Sequence, residues 1–283
     1  MNPFKNFETR QVLEETCEVH GCQLWLTKVP IKGQLEVLKQ CPKCTKAAIQ
    51  TFESKLNSQS KVNNKLADTY AVFERDSLVS DKLKSKSLEN YEIKADIDQK
   101  AINFAKRIEQ FYRHEGFGNA IVTGPSGVGK SHLTYGLAKH MNEQFKAYGH
   151  PRSVLFVSLV TLFTKIKESF HTNNGYSQAE MIELLSKVDF LFLDDLGKES
   201  RKADTRNNEW THQILYEILD KRSNTIINTN LTSKEIKTLY ADDYGNGALS
   251  SRILEGVVGN SFVYPFQSTH SRRVRRQSSS DAT

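Results

Sequence analysis

From Tyr91 onward, short continuous apolar runs alternate with stretches in which apolar residues recur every three or four positions. The runs within Asn119–Thr123, Val154–Leu159, Asp189–Asp194, Thr225–Thr229 and Ser261–Phe266 predict five buried strands. Gln99–Tyr112 places Ala101, Phe104, Ala105, Ile108 and Phe111 on one face and predicts a helix. Further helices are predicted at Ser131–Phe145, Val160–Phe170 and Asn208–Arg222. Strands that alternate with helices predict an α/β fold, a five-stranded parallel sheet wound on both faces with right-handed crossovers. Ligands of such sheets bind at the carboxyl ends of the strands.

The chain before Tyr91 has a different texture. Residues 51–89 are rich in Lys, Ser, Asn and Asp and contain neither Gly nor Pro, which predicts a mobile or helical linker. Within it, Lys82-Leu83-Lys84-Ser85-Lys86-Ser87 reads as a solvated face. The expected organisation is a small module at 1–50, a linker at 51–90, the α/β domain at 91–270 and a basic tail at 271–283. That tail carries Arg272, Arg273, Arg275 and Arg276.

Composition narrows the class. The chain has 39 Lys+Arg against 33 Asp+Glu and a net charge of +6. The surplus sits outside the α/β region: 21 basic and 21 acidic residues cancel between 91 and 270. Contact with a polyanion such as nucleic acid is therefore expected to be local. No apolar run is long enough to span a membrane, and Met1–Glu8 has no signal-peptide core, so a cytoplasmic protein without a membrane partner is expected.

All four cysteines fall between positions 17 and 44. In a reducing compartment such clustering points to metal rather than to disulfides. Tetrahedral zinc is commonly held by two short turns that each give two ligands, and Cys41-Pro-Lys-Cys44 has that spacing. Cys17 with His20 repeats it; Cys22 is the alternative fourth ligand. The favoured set is Cys17, His20, Cys41 and Cys44. Four protein ligands make a structural Zn2+ site, whose binding supplies folding energy to a module with little core.

Gly124-Pro125-Ser126-Gly127-Val128-Gly129-Lys130-Ser131 matches the phosphate-binding loop G-x4-G-K-S, between an apolar strand and a helix. Its backbone N–H groups would wrap the phosphates of ATP, Lys130 would reach the β and γ phosphates, and Ser131 would ligate Mg2+. Phe190-Leu-Phe-Leu193 leads into Asp194-Asp195. Asp194 would hold Mg2+ and Asp195 would orient or deprotonate the attacking water. At the tip of the fourth strand, Asn230 is the preferred polar group facing the γ-phosphate, with Asn228 its rival on the same face. Arg252 is expected to act as a finger on a neighbouring chain's γ-phosphate, with a surface ion pair as the alternative.

Taken together, Gly124–Ser131, Leu193-Asp194-Asp195-Leu-Gly197, Asn228-Thr-Asn230-Leu and Ser251-Arg252 resemble the AAA+ ATPases of the DnaC/DnaI type, the replicative helicase loaders. Leu88-Glu-Asn-Tyr91 resembles the segment that enters the nucleotide pocket in that group. The resemblance spans about Leu88 to Phe266 and implies an AAA+ core without a C-terminal lid. It further implies an ATP-dependent switch that binds the replicative helicase ring and places it on single-stranded DNA. It makes the zinc module a helicase-docking element and Arg252 a contact made on self-association. Lys165, Lys167 and Phe170 resemble the loader element that faces DNA. Many AAA+ proteins carry Glu where Asp195 stands, which implies slow hydrolysis. The competing classes are an IstB-type transposition helper, a small-molecule P-loop phosphotransferase, and a non-enzymatic binder that keeps ATP as a structural ligand.

Overall fold

A computed structural model describes residues 11–31, 34–114, 116–170, 176–200, 205–241, 247–256 and 263–266. The chain divides into two units, Met1–Lys65 and Leu66–Thr283. The expected tail at 271–283 lies outside the described residues.

The first unit holds three strands, β1 (Gln11–Thr16), β2 (Gln23–Ile31) and β3 (Gln34–Gln40), paired antiparallel in that order. The strands were not legible beforehand because β1 has almost no buried face, so the apolar–polar alternation of a half-buried strand is missing. Helix α1 (Pro42–Asp76) then runs through the whole first half of the expected linker. Its last turns belong to the second unit, where Tyr70 and Phe73 are buried in the core. The domain therefore starts well before Tyr91: apolar residues scattered among polar ones were its first anchoring points.

The second unit continues with α2 (Asp81–Lys84), α3 (Asp96–Arg113), β4 (Ala120–Thr123) and α4 (Lys130–Ala147). There follow β5 (Val154–Ser158), α5 (Leu159–Ser169), α6 (Gln178–Lys187), β6 (Phe190–Leu196), α7 (Thr205–Leu219) and β7 (Thr225–Thr229). Last come α8 (Ser233–Leu239), α9 (Ala248–Ile253) and β8 (Val263–Pro265). All five predicted strands form, in the order β5-β6-β7-β4-β8, and every pairing is parallel. This is the five-stranded parallel α/β core that the apolar pattern predicted.

Alternation explains why the strands read as unbroken apolar runs. Val122, Phe156, Phe192 and Ile226 face one core with α3 and α4. Ile121, Leu155, Leu191, Leu193 and Ile227 face a second core with residues of α5 to α9. Helices cover both faces, so each strand is buried on both sides. The β5 edge is covered too: the Leu78 N–H donates to the Phe156 carbonyl (2.9 Å), and the Ser158 N–H donates to the Leu78 carbonyl (2.9 Å). Covering an edge this way removes a template for aberrant strand pairing.

Candidate functional site

The carboxyl ends of β4, β6 and β7 open on a cleft of about 450 Å3. Gly129 caps the N-terminus of α4 with φ of 105°, a left-handed conformation that a side chain would strain, and so turns the loop into the helix. Val128 is buried, its side chain turned into the core, which anchors the loop from below. Ser126, Gly127, Gly129, Lys130 and Ser131 line the cleft, with Gly124 and Pro125 shaping the loop behind them. The Lys130 ammonium donates to the carbonyls of Gly124 (2.7 Å) and Pro125 (2.8 Å) and to Asn230 Oδ1 (2.7 Å).

Strand β6 delivers both carboxylates. Pairing with β7 steps from Leu193–Ile227 to Leu196–Thr229, so β6 spends one more residue than its partner across the acidic pair. That is a bulge, and Asp195 within it has φ of 66°. Asp194 is buried and accepts hydrogen bonds from Ser131 Oγ (2.9 Å) and Asn228 Nδ2 (2.8 Å). Burial pushes the Asp194 carboxyl above its usual range, and the Asp195 charge adds to this; the two donors and Lys198 oppose it. Asp195 pairs with Lys198 at 2.5 Å. Serine hydroxyl and carboxylate oxygen thus stand side by side, a hard donor set suited to Mg2+.

The two asparagines separate. Asn230 reaches Lys130 inside the cleft, whereas Asn228 is buried beneath it, holding Asp194 and Thr134 Oγ1 (2.6 Å). Arg252 does not line this cleft; it pairs with Asp220 (2.7 Å) and Glu255 (3.1 Å), as its alternative reading expected. Lys165 and Lys167 are exposed on α5, and Phe170 is its exposed C-cap. Lys167 Nζ stands 5.3 Å from the Trp210 ring centroid, and the Phe170 ring is 6.1 Å from it.

Two features escaped sequence reading. The Lys82–Ser87 run is not simply a solvated face, because Lys82, Leu83 and Lys86 line the cleft. The apolar Leu83 among the lysines, which packs on the core, was the available signal. The second is buried Glu199, just past the acidic pair. It accepts from the Gly197 N–H (2.8 Å) and from the Tyr240 hydroxyl, while Ser200 Oγ lies 3.0 Å from His212 Nε2. Burial raises the Glu199 carboxyl against these hydrogen bonds.

In the first unit, the turn between β1 and β2 and the start of α1 bring Cys17, His20, Cys41 and Cys44 together, their ligand atoms within 4.8 Å of one another. Cys17 and Cys44 Sγ are 3.8 Å apart, and His20 Nδ1 lies 3.3 Å from Cys44 Sγ and 3.7 Å from Cys41 Sγ. Zinc–sulfur bonds of about 2.3 Å in a tetrahedron put sulfurs roughly 3.8 Å apart, so the donor set and spacing fit Zn2+. Cys22 Sγ is 3.4 Å from Cys41 Sγ but stands outside that group of four. Burial pushes the Cys41 thiol up, yet the Cys44 amide and the neighbouring thiols outweigh it and bring it to about 7.

The family model described as IstB-like ATP binding protein matches residues 37–280. The replicative helicase loader DnaC of Buchnera aphidicola subsp. Schizaphis graminum is 26% identical over 186 residues, 64% of this chain and 67% of the relative. DnaC of Escherichia coli K12 is 26% identical over 161 residues, covering 55% of this chain and 60% of that protein. A crystal structure of the DnaC helicase loader superposes with a TM-score of 0.48 at 19% identity, over 66% of this chain and 98% of the other. No described helix is long and apolar enough to cross a membrane. With the family model covering most of its length, the chain belongs to the IstB-like ATP-binding family.

Proposed function

We propose that this chain is an ATPase that binds the replicative DNA helicase and uses ATP to place it on single-stranded DNA. The observation that carries the reading is the pairing of a P-loop cleft with sequence similarity to replicative helicase loaders. In the cleft, Ser131 and Asp194 hold Mg2+, which when bound neutralises phosphate charge. Lys130 leaves its carbonyl partners for the β and γ phosphates. Asp195 orients the attacking water and accepts its proton, and Asn230 aligns the γ-phosphate. Arg252, freed from Asp220 and Glu255 on self-association, completes a neighbour's cleft. Cys17, His20, Cys41 and Cys44 hold a structural Zn2+ in the module that docks on the helicase. Lys165, Lys167 and Phe170, with Trp210 beside them, offer cations and ring faces of the kind single strands use.

A second reading follows from the resemblance to IstB-type proteins, a transposition helper that partners a transposase. Co-purification separates the two. The full chain, with ATP and Mg2+, is expected to retain the replicative helicase of its host; failure to bind helicase while binding a transposase would replace the loader reading. Lys130→Ala is expected to abolish ATP binding. Arg252→Ala should spare binding yet lower hydrolysis in the assembled state, and unchanged assembled hydrolysis would remove Arg252 from the site.

A further inference from the structure

The stretch from Ser77 to Tyr91 is fastened at both ends beside the nucleotide cleft. At one end Leu78 is hydrogen-bonded to β5 on both sides. At the other, Leu88 packs on the core, and His132 Nε2 on α4 lies 3.0 Å from the Ser87 carbonyl and 2.8 Å from Asn90 Oδ1. Asn90 also accepts from the Ser87 N–H (2.9 Å) and donates to the Ser85 carbonyl (2.8 Å), which braces the turn from within. The approach to α4 is close enough to require a glycine: a Cβ on Gly136 would stand 2.8 Å from the Leu88 nitrogen and the Ser87 carbonyl carbon. Between these fastenings, Lys82 and Lys86 line the same cleft as Ser126, Gly127 and Lys130.

Charge bookkeeping distinguishes these lysines from their neighbours. Lys84, on the same turn, pairs with Asp81 at 2.9 Å and does not line the cleft. Lys198 is paired with Asp195. Among the described residues, Lys82 and Lys86 have no ion-pair partner, although the cleft they line also holds Asp194 and Asp195. Cations held without a counter-charge in the wall of a cleft favour a polyanion, and their hydrogen bonds to phosphate are charge-assisted.

We propose that Lys82 and Lys86 are phosphate-binding residues of the nucleotide site, contributed by the segment that precedes the α/β core. The assignment rests on the cleft being the ATP site. Titration with a fluorescent ATP analogue in the presence of Mg2+ tests it on the full chain. The Lys82→Ala/Lys86→Ala double variant is expected to bind about tenfold or more weakly, while Lys84→Ala stays within about twofold of wild type. Lys82→Arg/Lys86→Arg, which keeps the charge, is expected to restore affinity. The proposal is overturned if the double alanine variant binds as tightly as wild type, if Lys84→Ala loses as much, or if the arginine pair fails to recover binding. If instead the wild-type chain does not bind ATP, the nucleotide reading of the cleft falls, and the lysine assignment with it.

Discussion

Two consecutive carboxylates can serve one cleft only where the strand that carries them stops alternating. The bulge at Asp194 and Asp195 does this, and the left-handed φ of Asp195 is the only positive φ of a non-glycine among the described residues. Asn tolerates that conformation well, so Asp195→Asn removes the charge without disturbing the backbone. It is expected to keep ATP affinity and lose most hydrolysis, checked by analogue titration beside phosphate release; retained hydrolysis would dismiss Asp195 as the group acting on water. Asn228 is predicted to matter for stability as well. It donates to buried Asp194, so Asn228→Ala should cost about 1–3 kcal/mol in urea unfolding and raise the Mg2+ needed for activity. The residue types of the acidic pair were legible in sequence from an apolar run ending in Asp-Asp. The bulge was not, because one unpaired residue leaves no mark on a four-residue apolar pattern. Asn228 stayed a rival to the preferred Asn230 for a related reason: alternation assigns a face, whereas depth beneath the cleft depends on α4 and Thr134.

At the scale of elements, α4 serves as the surface on which the nucleotide loop and the preceding segment are both seated. Gly136→Ala inserts a methyl where backbone already stands, and overpacking of this kind costs about 1–3 kcal/mol. Unfolding by urea should show that loss, and ATP affinity should fall with it because Lys82 and Lys86 shift; an unchanged midpoint would mean that the segment yields freely. The loop after β6 is tied to the C-cap of α8 through Glu199 and Tyr240. Burial raises the folded-state Glu199 carboxyl above its ordinary 4.5. Such a group contributes stability below its unfolded value and loses it as pH rises through the folded one. Glu199→Gln is therefore expected to flatten the decline in stability above pH 4.5, measured as unfolding midpoints across pH. His212, lowered by burial, contributes the opposite slope. Long apolar strands and amphipathic α3 were readable because burial on one or two faces writes a period into the sequence. Helices α6 and α8 are too short for that, yet each opens on a capping box, Ser177 with Glu180 and Thr232 with Glu235, which was their readable signal. The segment at 77–91 had neither period nor cap, since it is held by backbone contacts to β5 and α4.

Across the whole molecule, the two units are stabilised by different physics. The second has two apolar cores flanking its sheet. In the first, Cys41 is the only buried side chain among those described, so apolar burial contributes little there. A unit of that size with so little core among its described side chains generally needs a metal or a cross-link, and structural zinc supplies about 10–16 kcal/mol in small modules at neutral pH. Removing the metal is thus expected to unfold the three-stranded sheet and leave the ATP cleft intact. Trp25 lies in β2 and Trp210 in α7, one indole in each unit, so Trp210→Phe leaves a fluorophore that reports on the first unit alone. A strong chelator should shift the Trp25 emission to that of an exposed indole, while analogue titration still finds the nucleotide site. Metal analysis should give about one zinc per chain, as one four-ligand site requires. Cys17→Ser and Cys44→Ser should lose that zinc and Cys22→Ser should keep it, since Cys22 stands outside the four-ligand group. If His20→Ala keeps the metal and Cys22→Ser loses it, the fourth ligand is Cys22 and the site is all-thiolate. If the chelator leaves Trp25 emission unchanged, the three-stranded sheet stands without metal, and the folding role assigned to zinc is wrong.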